Sequence, residues 1–324
     1  MPPKMGDTRG LGSLDFESAA RDEYVPGVAT KHVLRKLPQH GAGRQSCANV
    51  ECSGGWKMPW KNRRRPVFEG HWGCSPRCLE AVIHRALRRE RGDLRPSIEE
   101  EAPHQHRVPL GLIMLSQGLI TQAQLRKALD AQRLAGQGRI GDWLVKECNL
   151  HPSQITRGLA GQWSCPVLRT EGFIPSAMAL TAPRFFLEEF GLLPLRVAAS
   201  RILYVAFQNR LDASVAFAME QMSGLRVESG LLDDFQFHQA HEILLEGAFA
   251  QTTRESFSDI DTLSIKMAAV LNRYQPVNSR VVRIHQHYWL RIWLETGAYS
   301  GVGSLPGSGE DVIDTVFSFE GRRD

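Results

Sequence analysis

The chain has 324 residues, 42% hydrophobic and 23% charged, with a formal net charge of +4. That suffices for two or three globular domains at roughly 150 residues each, and it excludes a wholly disordered chain. No apolar run approaches the ~18 residues of a bilayer-spanning helix, and residues 1–24 lack the apolar core of a signal peptide, so a cytoplasmic protein is expected. Thiols stay reduced there, so the six cysteines point to metal or core roles rather than disulfides.

Residues 1–43 are rich in Gly, Pro and charge, and disorder is expected. Residues 44–92 form a basic, cysteine-bearing module. Residues 44–95 hold 12 of the 39 Lys/Arg but only 5 of the 35 Asp/Glu, a local +7. Cys47 and Cys52, then Cys74 and Cys78, make two close thiol pairs about twenty residues apart, the layout of a tetrahedral Zn2+ site. The second pair opens the helical stretch 75–90, with Pro76 in its first turn, where the helix dipole favours thiolate. Knuckle, hairpin and ligand-bearing helix in this order resemble a treble-clef zinc finger. The alternative is four unligated core thiols. His71 and His84 read as surface or packing residues, and Cys148 and Cys165 as structural. Trp56, Trp60 and Trp72 interleave with basic residues 61–65, which suits nucleic acid through phosphate contacts and stacking. Four thiolates around Zn2+ would lower that local charge by two, and so small a module also needs tryptophans as core, so a protein-docking role is expected of it ahead of nucleic-acid binding. Residues 93–106, with two prolines and an acidic triplet, read as a linker.

Residues 107–165 contain a repeat. The stretch 139–162 lies over 109–132 without a gap: Leu110 falls on Ile140, Gly111 on Gly141, Met114 on Leu144, Leu115 on Val145, and Gln132 on Gln162. Each copy predicts a helix–turn–helix hairpin. Gly118 supplies a left-handed stop, Thr121 with Gln124 a capping box, and Ile120 with Leu125 a hydrophobic staple. The second copy repeats the staple with Leu150 and Ile155 and places Pro152 at the first helical position. Two copies give a four-helix unit with pseudo-twofold character. A core does not require the paired Gln132 and Gln162, nor a glycine opening each copy. Such a glycine lets backbone approach something closely, and two related sites suit a two-fold symmetric ligand.

Residues 166–248 read as a small α/β unit: a helix closed by Gly191, a hairpin over 192–208, a helix from Asp212 to Gly224, a strand at 225–229 and a closing helix. In residues 249–324, apolar positions from Ile260 to Tyr274 are spaced as a helix. Alternation over 281–295 predicts one long strand, with Val282, Ile284, Tyr288, Leu290, Ile292 and Leu294 on a buried face. A Gly/Ser-rich loop and residues 312–320 complete a hairpin. The expected fold is α+β and multidomain: small zinc finger, four-helix repeat, small α/β subdomain, and C-terminal helix plus hairpin.

The repeat, with Trp163–Leu168 after it and the Pro194, Leu195, Leu203, Tyr204, Val205, Ala206 and Asn209 hairpin, resembles the N-terminal domain of type II secretion and type IV pilus assembly ATPases over about 107–248. Some members of that family bind cyclic di-GMP across the two motifs. Carried over, the resemblance implies a ligand site of Leu110, Gly111, Leu115, Gly118, Leu119 and Gln132 from the first copy. From the second it implies Arg139, Ile140, Gly141, Leu144, Val145 and Gln162. Met114, Ile120, Leu125 and Leu129, with Leu150, Ile155 and Leu159, complete the two motifs. Departures are Pro109 in place of the motif Arg, with Arg107 two residues upstream, and Cys148 and Asn149 in place of a glycine and an apolar residue. No motor is expected in this sequence: residues 303–312 echo a phosphate loop but carry Glu310 where the Lys should stand. A non-enzymatic adaptor is therefore expected, docking on secretion or pilus machinery at the inner membrane and responsive to cyclic di-GMP if the motifs still bind it. The alternative is a nucleic-acid-binding regulator that uses the zinc module and senses a dinucleotide through the repeat.

Overall fold

The computed structural model describes residues 47–52, 65–92, 108–208, 212–295 and 305–320. The expected N-terminal disorder, the linker, Trp56, Trp60, residues 61–64 and Arg107 lie outside these. A two-stranded ribbon, β1 (Val67–Phe68) and β2 (His71–Trp72), precedes helix α1 (Pro76–Arg91). Ser75 caps α1, and Gly92 ends it at φ 92°. Four short helices follow: α2 (Leu110–Ser116), α3 (Gln122–Ala135), α4 (Ile140–Cys148) and α5 (Pro152–Trp163). The capping box of Thr121 and Gln124 starts α3, and Pro152 opens α5, as the sequence predicts.

The α/β unit has α6 (Pro175–Met178), α7 (Arg184–Glu189), β3 (Leu192–Ala198), β4 (Ile202–Phe207), α8 (Ala213–Ser223), β5 (Arg226–Gly230) and α9 (Asp234–Leu245). Its sheet order is β3-β4-β5, the first pair antiparallel and the second parallel. Ala199 and Ser200 turn the hairpin, both with positive φ. The Asp212 carboxylate accepts from the amides of Ser214 and Val215, and Gly224 closes α8 at φ 68°. The edge of Trp163 meets the ring of Phe207, joining the end of the repeat to this unit.

The C-terminal part departs from the sequence reading. It holds β6 (Gln251–Phe257), α10 (Ile260–Tyr274), β7 (Asn278–Ile284), β8 (His287–Trp293) and β9 (Val312–Phe319) in one sheet ordered β6-β9-β8-β7. The single long strand is two strands, turned by residues 285 and 286, with His285 at φ 52°. A two-residue turn pairs Ile284 with His287, so odd positions on β7 share a face with even positions on β8. The predicted common face therefore splits. Val282 and Ile284, with Trp289 and Trp293, enter the core of the α/β unit. Val281, Tyr288, Leu290 and Ile292 enter a second core with α10. Both faces of β8 are buried, where the sequence predicted only one. The parallel strand β6 was not anticipated: Gln251–Phe257 is polar and mostly exposed, with no apolar alternation to announce it.

This sheet lies between two hydrophobic cores. On one face Arg291, 1% exposed at its side chain, makes a two-pronged contact with Asp314 at 2.7 and 2.8 Å. It also donates to the Leu180 and Thr181 carbonyls of the α/β unit, and Trp289 donates to Asp314 at 2.7 Å. On the other face Leu79, Val82, Ile83 and Leu87 of α1 join Leu263, Met267 and Leu271 of α10 in one core. The Val67 amide donates to Pro276, and the Glu69 amide to Ser279, so β1 lines the free edge of β7. The cysteine module thus shares its core with residues 257–317. Among the described residues no helix is long and apolar enough to cross a membrane.

Candidate functional sites

The four cysteines converge. Cys47 and Cys52 lie in the segment before the ribbon, Cys74 directly precedes the Ser75 cap, and Cys78 sits in the first turn of α1. Their Sγ atoms all lie within 4.8 Å of one another, with Cys52–Cys74 at 3.4 Å and Cys74–Cys78 at 3.5 Å. Four sulfurs around Zn2+ at ~2.3 Å would stand about 3.8 Å apart, so the donor set fits a closed tetrahedral site. The surroundings favour thiolate. The Cys74 amide donates to Cys47 Sγ at 3.4 Å, and Asn49 Nδ2 donates to Cys78 Sγ at 3.5 Å. Hydrogen bonding from Ser75, then from Asn49, brings the Cys78 thiol down to about 6 against the opposing effect of burial. Gly73 is a residue that sequence reasoning missed: a Cβ there would stand 2.4 Å from the Leu79 amide, so only glycine lets the chain fold onto the start of α1. His71 is exposed and His84 pairs with Asp261 at 3.0 Å, both apart from the thiols.

The repeat forms two interlocked hairpins. Helix α2 packs on α5 and α3 packs on α4, and these two contacts are equivalent under the repeat. The paired glutamines have a structural explanation. Gln132 Nε2 donates to the Gly138 carbonyl and Gln162 Nε2 to the Val108 carbonyl, both at 2.7 Å. Gly138 and Val108 are themselves thirty residues apart, so each copy's last glutamine holds the start of the other. The opening glycines also have neighbours. A Cβ on Gly111 would stand 2.5 Å from Leu125 Cδ1, and one on Gly141 would stand 3.0 Å from Ile155 Cγ2. What these glycines admit is the second helix of their own copy. Met114 and Leu144 are fully buried. Leu110, Leu115, Leu119, Ile140 and Val145 are half-buried, while Gly118 and Arg139 are exposed.

The departures from the motif are physically coupled. The Arg139 amide donates to the Asp142 carboxylate. Pro109 has no amide to donate, and Leu112 stands in place of that acid. Cys148 replaces Gly118, but Asn149 takes the left-handed conformation at φ 51° one residue later. Asparagine is among the residues that tolerate it.

Three further arrangements bear on catalysis. Asp212, Ser214 and His285 form a cluster, but His285 Nε2 contacts both Asp212 (2.7 Å) and Ser214 (3.3 Å). A nucleophilic relay needs the acid on one ring nitrogen and the hydroxyl on the other, so this cluster is a helix cap with a histidine attached. The segment resembling a phosphate loop turns through Ser308 and Asp311 into strand β9, not into a helix N-terminus where phosphate would bind. Cys165 is half-buried, and burial raises its thiol, the reverse of an activated nucleophile.

No family model matches this chain, and no curated protein matches it. Solved structures do. A structure of MshE with cdg is 25% identical and spans 42% of this chain and 98% of that one, with a TM-score of 0.34. Two crystal forms of the N-terminal domain of XpsE are 16% and 13% identical. They span 40% and 42% of this chain and 89% and 96% of theirs, with TM-scores of 0.24 and 0.27.

Proposed function

We propose that the chain is a non-enzymatic adaptor: a zinc-stabilised module and a central sheet carrying a docking domain of the kind that secretion and pilus ATPases place before their motor. The family resemblance in residues 107–248 supplies the class of partner, a component of such machinery at the inner membrane. The observation that carries the docking reading is the repeat's use of its own signature. Its glycines face Leu125 and Ile155, and its glutamines latch the two copies, so the residues that seemed to await a ligand already have neighbours. Zn2+ held by Cys47, Cys52, Cys74 and Cys78 would be structural, since four thiolates leave no open coordination position. The second reading is cyclic di-GMP binding. The exposed Arg139 favours it, and the missing first Arg opposes it, because removing a charge-assisted hydrogen bond costs about 1.5–3 kcal/mol.

Two measurements on the full chain test this. Calorimetry with cyclic di-GMP should show no binding at micromolar concentration; binding abolished by Arg139→Ala would establish the second reading instead. Crosslinking in the cells that make the protein should recover secretion or pilus components. That recovery should be lost in Ile155→Asp, which unfolds the repeat, and kept in Arg139→Ala. Recovery of none would end the adaptor reading.

A further inference from the structure

The two edges of the four-stranded sheet are treated differently. Strand β1 lines the outer side of β7, through the Glu69 amide on the Ser279 carbonyl and Ser279 Oγ on the Val67 carbonyl. On the outer side of β6 no strand pairs among the described residues. The register of β6 on β9 runs without a break from Gln251 to Phe257, and the Phe257 carbonyl accepts from the Glu320 amide. Backbone groups alternate sides along a strand. The odd positions of β6 therefore bond β9, and Thr252, Arg254 and Ser256 turn theirs outward. The Ser256 carbonyl shows the same sense, since it accepts from Lys266 Nζ at 2.6 Å. An open edge is ordinarily guarded by a proline, a bulge or a charge. Strand β6 has no proline and no bulge. Its charges are drawn onto the two faces of the sheet: the Arg254 guanidinium lies 4.1 Å from the Phe185 ring centre, and Glu255 pairs with Lys266 at 3.6 Å. Only the Lys266 ammonium guards the edge, at its Ser256 end. Gln251, Thr252, Thr253 and Arg254 are exposed.

We propose that β6 pairs antiparallel with β6 of a second copy of this chain, making one continuous sheet across a two-fold dimer. The residues of the strand select the register. A two-fold axis through Arg254 would set two guanidiniums side by side, and one through Glu255 two carboxylates. Like charges directly opposite are destabilising. An axis through Thr252 would draw in Ala250, which is buried and precedes the strand. An axis through Thr253 meets none of these obstacles. It sets Thr252 against Arg254 of the second copy, and each such pair exchanges two backbone hydrogen bonds between groups that the fold leaves outward. Thr253 then faces its own counterpart, a favourable cross-strand pair, and the Gln251 amide comes opposite the Glu255 carboxylate. Ser256, whose carbonyl Lys266 already holds, falls beyond the paired stretch. The polarity of β6 also fits: residues that pair only in the dimer must stay soluble in the monomer, and so small an interface is reversible.

Analytical ultracentrifugation of the full, zinc-loaded chain over a range of concentrations tests the proposal. A reversible equilibrium between monomer and dimer is expected. Hydrogen exchange at the Thr252 and Arg254 amides should slow as concentration rises. Thr252→Pro removes an outward amide that β9 does not use. It should abolish the dimer and keep the fold, since proline is tolerated where an edge N–H faces out. Thr253→Lys and Thr253→Glu each place like charges on the two-fold axis, and each should weaken association by about tenfold or more. Mixed together, these two variants should associate again, an outcome particular to the Thr253 register. Thr253 is exposed, so the thermal midpoint of both should hold, and they decide the matter even if the proline variant does not fold. A chain that stays monomeric at every concentration overturns the proposal and leaves the edge to a strand of another protein. So does a dimer that neither Thr253 variant weakens, or a mixture that fails to associate. Growth beyond the dimer overturns it too, because a closed two-fold pairing leaves no free β6 edge.

Discussion

Asp314 accepts from three donors, the Arg291 guanidinium twice and the Trp289 indole once, in a position with 0% exposure. A buried pair of this kind owes its effect less to mutual attraction than to the cost of breaking it. Arg291→Met should therefore destabilise the protein by about 3–5 kcal/mol in urea titrations. Adding Asp314→Leu should recover part of that but not all, since the indole N–H loses its acceptor. His287 is the converse case. Its Nδ1 meets Ser318 at 2.9 Å, but its buried Nε2 has no hydrogen-bond partner among the described residues. Burial holds its pKa below the ordinary value, with Glu189 pulling the other way and Arg254 and His285 adding to the depression. Burial shifts His241 in the same sense. The unfolded chain takes up protons near pH 6.5, whereas the fold resists them. Stability is then fully present above about pH 6.5 and is lost as pH falls through the lower folded values. Urea midpoints at pH 7.5 and 5.5 should show this loss, and His287→Phe should shrink it. Equal midpoints in the wild type would refute the assignment.

At the scale of elements, the repeat was the most legible part of the sequence, because capping chemistry is local. Thr121, Gln124 and Pro152 announce their helix starts within three residues, as Asp212 does for α8 in the α/β unit. What local chemistry could not supply was the partner of Gln162, which lies fifty-four positions away at Val108. Its role became readable only once the hairpins interlocked. Gln162→Ala should cost about 0.5–1.5 kcal/mol, the worth of one hydrogen bond, and Gln132→Ala a similar amount by symmetry. Gly111→Val should cost more, about 1–3 kcal/mol, since its first added carbon already meets Leu125. Thermal melts of the three variants give the order, and a neutral Gly111→Val would show that α2 and α3 are less tightly apposed. The β7–β8 hairpin was misread for an instructive reason. A two-residue turn of non-glycine residues, His285 and Gln286, leaves an unbroken alternating pattern in the sequence while reversing which positions share a face. The cysteine pairs were legible by spacing, but Gly73 was not, because its need arises from the approach of the Leu79 amide.

For the molecule as a whole, the sequence places the cysteine module and the C-terminal residues at opposite ends, whereas the structure puts them in one core. Metal removal should therefore be felt far from the cysteines. Metal analysis should give close to one Zn2+ per chain. Stripping it with a chelator, or Cys78→Ser, should speed hydrogen exchange in α1, α10 and β7 while leaving α3 and α5 protected, since the repeat has a core of its own. Uniform loss of protection would mean that the repeat depends on the sheet. A metal content near zero would reduce the cysteines to core thiols.

The hydrogen bond from Ser279 Oγ to the Val67 carbonyl spans 212 positions of sequence. A ribosome adds roughly 5–20 residues per second, so the apolar side of α1 waits roughly 10–40 s for the strand and helix that cover it. During that time the repeat can fold on its own contacts, while the earlier-made α1 stays uncovered. Nascent chains released before α10 emerges should therefore bind chaperones through α1, and zinc uptake by the young polypeptide should lag behind formation of the repeat.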